Sequence, residues 1–167
     1  MVHDPDPLLE RATAAVITLG ERLLRRGEQV AVAESCTGGW LAKVLTDRAG
    51  SSAWFERGVV VYSNAAKADL LGVPPALIER HGAVSREVAE AMARGLRERA
   101  PVAWTAALTG VAGPGGGTAA KPVGTVWIAW AGEAAVEVEG FRFDGDRDAV
   151  RRAAVAAALD GLLRRVA

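Results

Sequence analysis

Apolar residues recur along this chain in two spacings, and the alternation between them predicts its elements. Leu8, Ala12, Ala15, Val16, Leu19 and Leu23 fall on one stripe, which predicts an amphipathic helix over residues 7–26 ending near Gly27. Val30-Ala31-Val32-Ala33 is a short continuous apolar run between turn-forming residues, the pattern of a strand covered on both faces. A helix over 38–48, a strand over 58–62, a helix over 64–71 and a helical turn or two after Pro74-Pro75 follow. Ser85 is the expected N-cap of a helix reaching Arg99, with Glu90 and Arg94 paired one turn apart. Residues 102–108 read as another buried strand, and 123–131 and 135–143 as a hairpin around Gly132-Glu133. A last helix starts near Arg147, with Val155, Leu159, Leu162 and Val166 inward. Strands alternating with helices predict a layered α/β domain with a mixed sheet, its strand order left open.

Composition narrows the function. The 167 residues are half hydrophobic and 24% charged, enough apolar surface for one core, and the expectation is one domain over 1–167. Twenty basic and twenty acidic residues cancel, so nothing draws the chain to nucleic acid or to an anionic membrane. A lone cysteine, Cys36, and two histidines, His3 and His81, make neither a disulfide nor a zinc site, and Glu34, Asp47, Asp69 and Glu79 show no metal-ligand spacing. No metal or other cofactor is expected. Residues 1–6 lack the basic start and apolar run of a secretory signal, which predicts a cytoplasmic protein. Residues 101–120 carry no charge, but Pro101, Pro114 and five glycines would leave backbone groups unsatisfied in lipid.

Ligands of open α/β sheets bind beyond the carboxyl ends of strands, so the segments following each predicted strand are the candidates. The first is Glu34-Ser35-Cys36-Thr37-Gly38-Gly39. Ser35 at a strand-to-helix turn is a candidate nucleophile, with helix-start N–H groups around Thr37, Gly38 and Gly39 to hold an oxyanion; equally, Ser35 and Thr37 can be plain helix caps. Cys36 competes as nucleophile, but adjacent side chains at a strand end point to opposite faces, so only one of the two reaches a ligand.

The second segment, Tyr62-Ser63-Asn64-Ala65-Ala66-Lys67, supplies candidate proton acceptors. Tyr62 and Lys67 would diverge by about 140° in one helix, yet converge if Tyr62 ends the strand and Lys67 sits in the first helical turn behind a Ser63 or Asn64 cap. The positive helix end there lowers a lysine's pKa toward that of a usable base; a solvated lysine is the plain alternative. The third segment holds Thr109, Gly110, Gly113, Gly115, Gly116 and Gly117, with Lys121 just beyond. It has neither the G-x-x-x-x-G-K-[ST] nor the G-x-G-x-x-G pattern, and reads as an anion cradle of backbone N–H groups or as a flexible loop.

Taken together, Ala33 to Gly39, Gly50-Ser51-Ser52-Ala53-Trp54-Phe55, Tyr62 to Lys67, Gly82-Ala83-Val84-Ser85 and Thr109 to Thr118 resemble the CinA C-terminal domain family over nearly the whole chain. The resemblance implies a three-layer α/β/α domain with a mixed, mostly parallel sheet. It also implies hydrolysis of nicotinamide mononucleotide to nicotinic acid mononucleotide and ammonia. Family members stand alone or end longer competence/damage-inducible proteins, and this chain resembles the stand-alone form. The family's catalytic serine, tyrosine and lysine fall on Ser35, Tyr62 and Lys67. Thr37, Gly38, Gly39, Ser51, Ser52, Asn64, Thr109 and the glycine loop with Lys121 would line the nucleotide pocket. A homo-oligomer is expected by the same analogy. The rival reading is a nucleotide-binding regulatory module that senses a ligand without chemistry.

Overall fold

A computed structural model describes residues 7–167; His3 and the rest of the amino-terminal hexapeptide lie outside the described residues. Among the described residues the order is α1 (Pro7–Arg26), β1 (Val30–Glu34), α2 (Trp40–Thr46), β2 (Phe55–Val60), α3 (Asn64–Leu71), α4 (Pro75–His81), α5 (Arg86–Arg99), β3 (Trp104–Gly110), β4 (Thr125–Ala131), β5 (Val136–Arg142) and α6 (Arg147–Arg165), with one 3-10 turn at Ser51–Ala53. The strands form one mixed sheet in the order β2-β1-β3-β4-β5. β1 is paired in parallel with both β2 and β3, while β4 runs against β3 and β5.

Burial on both faces explains why β1 reads as unbroken apolar sequence. Val30 and Val32 join Leu108, Ile128 and Trp130 in a core under α1, α2 and α6, whereas Ala31 and Ala33 join Ala107, Ala129 and Ala131 under α3, α4 and α5. The second face is mostly alanine, so α5 comes close enough for the Thr105 hydroxyl to donate to the Ala93 carbonyl at 2.9 Å. Helix starts follow the local chemistry: Ser63, Ser85 and Asp146 cap α3, α5 and α6 by accepting from Ala66, Val88 and Ala149 N–H groups. The Glu90–Arg94 pair forms at 2.9 Å.

Several boundaries differ from the sequence reading: β3 covers Trp104–Gly110 rather than 102–108, β4 opens at Thr125 rather than 123, and β2 and α2 are displaced as well. β2 begins at Phe55 and ends at Val60, earlier than the apolar run. It is an edge strand with one solvated side, where Phe55 and Arg57 pair with β1 across a register shift at Glu56, so the polar start of the strand carries no hydrophobic mark. α2 begins at Trp40, because Gly38 and Gly39 have φ of 61° and 97°, left-handed backbone that belongs to a turn. Trp54 is wholly buried in the core, with Trp40 and Phe55 packed against its edge.

Gly95 sets the spacing between α5 and α3, since a Cβ there would stand 1.8 Å from the Leu71 carbonyl oxygen. That backbone cannot yield without moving α3. Gly95→Ala should therefore lose about 1–3 kcal/mol of stability despite its better helix propensity. Gly115→Ala, which meets nothing within 4 Å, should change little. Thermal unfolding of both variants checks the contrast: a fall of several degrees for the first and about one or less for the second.

Candidate active site

At the carboxyl end of β1 the chain is fastened on both sides, since the Glu34 carbonyl accepts from Val61 N–H at 2.8 Å and Ser35 N–H donates to the Leu108 carbonyl at 3.1 Å. Side chains alternate across the sheet at this point. Cys36 enters the core under α1, α2 and α6, whereas Ser35 turns to the α3 side and meets Lys67. Burial pushes the Cys36 thiol up to about 11, with a smaller push from the Glu34 carboxylate. At neutral pH it is a packed thiol, close against Gly110.

Lys67 lies in the first turn of α3 and is 1% exposed. Its Nζ lies 3.1 Å from Ser35 Oγ, 2.9 Å from the Val61 carbonyl and 3.1 Å from the Tyr62 carbonyl. As an ammonium it donates to all three. Burial lowers its pKa from the ordinary lysine value, and Cys36 opposes this weakly. Once a proton is lost the two carbonyls, which can only accept, keep the remaining N–H groups. The lone pair is then left toward Ser35, the one partner that can donate.

The turn after Ser35 differs from the expectation of a helix start open to a ligand. Leu41 and Ala42 N–H groups each donate to the Glu34 carboxylate at 2.9 Å, Gly38 N–H donates to the Ser35 carbonyl, and Trp40 N–H donates to the Thr37 carbonyl. Because α2 starts late, its first-turn donors are already occupied. Thr37 and Gly39 N–H groups, by contrast, have no hydrogen-bond partner among the described residues, and neither has the buried Thr37 hydroxyl.

The other expected site residues divide. Tyr62 contributes its carbonyl to Lys67; its phenol is largely solvent-exposed and accepts from Arg147 at 3.2 Å. Asn64 opens α3 at the surface, the capping role falling to Ser63. Thr109 donates to the Ala83 carbonyl at 2.8 Å, and Gly110 ends β3 beside Cys36. The glycine loop follows at the same end of the sheet, with Gly113 buried and Gly115, Gly116 and Gly117 exposed. Lys121 spends an N–H on the His81 carbonyl, fastening that loop to the end of α4. Ser51 and Ser52 precede a strand parallel to β1, so they sit at the opposite end of the sheet from Ser35 within this chain.

Three residues to which the sequence reading gave no site role complete the cluster. Glu34 holds α2, Arg151 donates to the Cys36 and Thr37 carbonyls at 3.2 and 3.1 Å, and Arg147 joins the Gly113 carbonyl to the Tyr62 phenol. Signals for them exist. Glu34 ends an otherwise apolar buried strand, and Arg147 occupies a helix's first turn, where the helix dipole disfavours cations.

Residues 12–166 match the model of the CinA C-terminal domain. The chain belongs to the CinA C-terminal domain family. It is 55% identical to nicotinamide-nucleotide amidohydrolase PncC of Pseudomonas putida, the match covering 95% of this chain and 97% of that one. A CinA-like protein of Anaeromyxobacter dehalogenans is 55% identical over 86% of this chain, which spans 35% of that longer protein. Among solved structures, competence/damage inducible protein CihA from Agrobacterium tumefaciens superposes with a TM-score of 0.88 at 41% identity, covering 98% of both chains. In this CinA-family chain no group of three or more His, Cys, Asp or Glu among the described residues could hold a metal ion.

A buried Cys36 thiol titrating near 11 carries about two decades less thiolate at pH 8 than a free one. Its modification by a disulfide reagent at pH 8 should therefore be at least about a hundredfold slower in the native protein than in urea. Fast native modification would return Cys36 to contention as a nucleophile.

Proposed function

We propose that this chain is a nicotinamide-nucleotide amidohydrolase that converts nicotinamide mononucleotide and water to nicotinic acid mononucleotide and ammonia, with Ser35 as nucleophile and Lys67 as its base. The observation that carries the reading is a desolvated lysine with two N–H groups pinned on carbonyls and its third position on Ser35 Oγ. A ligand sensor would have no use for that arrangement. Its near full-length relative, named for this activity, adds support.

In the reaction Lys67 takes the Ser35 proton as Oγ bonds to the carboxamide carbon. The unpartnered N–H groups of Thr37 and Gly39 receive the oxyanion, a contribution of about 2.7–4 kcal/mol per donor where one has been deleted from a serine hydrolase. The C–N bond breaks as the Lys67 proton passes to nitrogen, and ammonia leaves. Water then attacks the ester, gives its proton to Lys67, and Ser35 recovers its own as the acid is released. Tyr62 borders the site through its carbonyl and its Arg147-bonded phenol. The glycine loop with Arg147 forms the phosphate side, and Thr109 and Asn64 border the entrance. Self-association belongs to the same reading, supported by the exposed apolar Val60 and Leu70 on the β2 side of the site. A cytoplasmic setting fits a chain in which no described helix is long and apolar enough to cross a membrane.

Lys67→Met should lower kcat by about 10²–10⁴-fold. Ser35→Ala should lower it to background, and the double variant should be no worse than Ser35→Ala, since the pair acts as a unit. The pH profile follows from the sign of the Lys67 shift. A base must be neutral to accept a proton, so kcat/KM rises with pH as Lys67 deprotonates, with a midpoint below the ordinary lysine value of about 10.4. Ammonia release measured from pH 6 to 10 checks this, and a wild-type rate falling through that range contradicts it.

Phosphate recognition makes a separate prediction. Nicotinamide riboside carries the same amide without the anion, so it should be hydrolysed about one to two decades less efficiently for each charge-assisted hydrogen bond that it cannot make. Arg147→Ala should penalise the mononucleotide and leave the riboside rate nearly unchanged. Equal efficiency on the two substrates in the wild type removes the phosphate site from this loop.

A further inference from the structure

Glu34 is a fully buried carboxylate placed directly before the nucleophile, yet it faces away from the chemistry. Its side chain lies on the α2 side of the sheet, opposite Lys67, and bonds the N–H groups of Leu41 and Ala42 at 2.9 Å each. Its own carbonyl is held by the chain leaving β2 through Val61 N–H, and the next N–H is held by β3 through the Leu108 carbonyl. The five residues from Ser35 to Gly39 therefore leave the sheet at a clamped point and return to a helix held by the same residue. Within this short closed turn lie Ser35 and the N–H groups of Thr37 and Gly39, which have no hydrogen-bond partner among the described residues.

The geometry points to Glu34 as a positioning residue of the amidohydrolase reaction: its carboxylate closes the nucleophile turn and so aims Ser35 and its neighbouring N–H donors. This rests on the function proposed above. Two features of the chemistry support the role. A carboxylate can accept from two adjacent helix N–H groups with one oxygen each, whereas an amide offers one acceptor and confronts the second N–H with its own NH₂. The anion also occupies the positive end of α2, so that end is not available to the substrate's phosphate. The turn's aim is used only as the tetrahedral species forms, so its loss falls on kcat rather than on ground-state binding.

Glu34→Gln preserves shape and removes one acceptor. It should lower kcat on nicotinamide mononucleotide by about 10–100-fold, the cost of a displacement of roughly 1 Å, with KM changed less than about threefold. Nucleotide affinity on a Ser35→Ala background should be unchanged by adding Glu34→Gln. Loosening the turn and removing its negative charge should also speed Cys36 alkylation roughly tenfold. That readout needs no substrate. A wild type that releases no ammonia would sink the amidohydrolase reading and the positioning role with it, whereas an active wild type whose Gln variant shows unaltered Cys36 alkylation would sink this inference alone. Glu34→Asp keeps the charge but reaches one N–H, so it should fall between wild type and Gln, and it carries the same readouts if the Gln variant fails to fold. Unchanged kcat in the folded variants, or a loss shared equally by nucleotide affinity, would overturn the positioning role.

Discussion

Taking a lysine amine out of water costs several kcal/mol unless every N–H finds an acceptor, and the carboxyl end of this sheet is built around meeting that cost for Lys67. Two acceptors are backbone carbonyls, Val61 and Tyr62, available because the chain has just left β2 and no longer pairs on that side. The third is the Ser35 hydroxyl. The Ser63 cap starts α3 where its first turn drops Lys67 into this position, and Gly95 lets α5 press α3 toward the sheet. Fold stability and base strength are thereby tied to one group: the burial that makes Lys67 costly is what makes it deprotonate readily.

Strand alternation separates the competing chemistries within three consecutive residues. Glu34 and Cys36 face the core under α2 and α6, and Ser35 faces α3. A thiol of higher intrinsic nucleophilicity is thus kept protonated beneath the site, while the hydroxyl proposed as nucleophile meets the Lys67 amine. The α6 arginines complete the wall from the other layer, Arg151 on the turn's carbonyls and Arg147 across Tyr62 and Gly113. Helices of both layers therefore contribute to one site, as expected where parallel strands end together.

The amino-acid sequence by itself determined the element order, because each element had to bury a stripe or face and its periodicity records which residues do so. α1 and α3 were legible to the residue, and so were Ser85 as a cap and the inner side of α6, since local hydrogen bonding and amphipathic spacing decide them. Ser35 at the turn after β1 and Lys67 in the first turn of α3 were legible as candidates to meet, and the structure places their side chains 3.1 Å apart. Long-range contacts decided the rest. Tertiary pairing alone set the strand order, placed Ser51 and Ser52 at the far end of the sheet, and turned the Tyr62 phenol to Arg147. It also gave the start of α2 to Glu34 and brought Arg151 to the nucleophile turn from α6, at the other end of the chain. Such partners share no local periodicity, so only the packed layers could bring their charges and carbonyls within hydrogen-bonding distance.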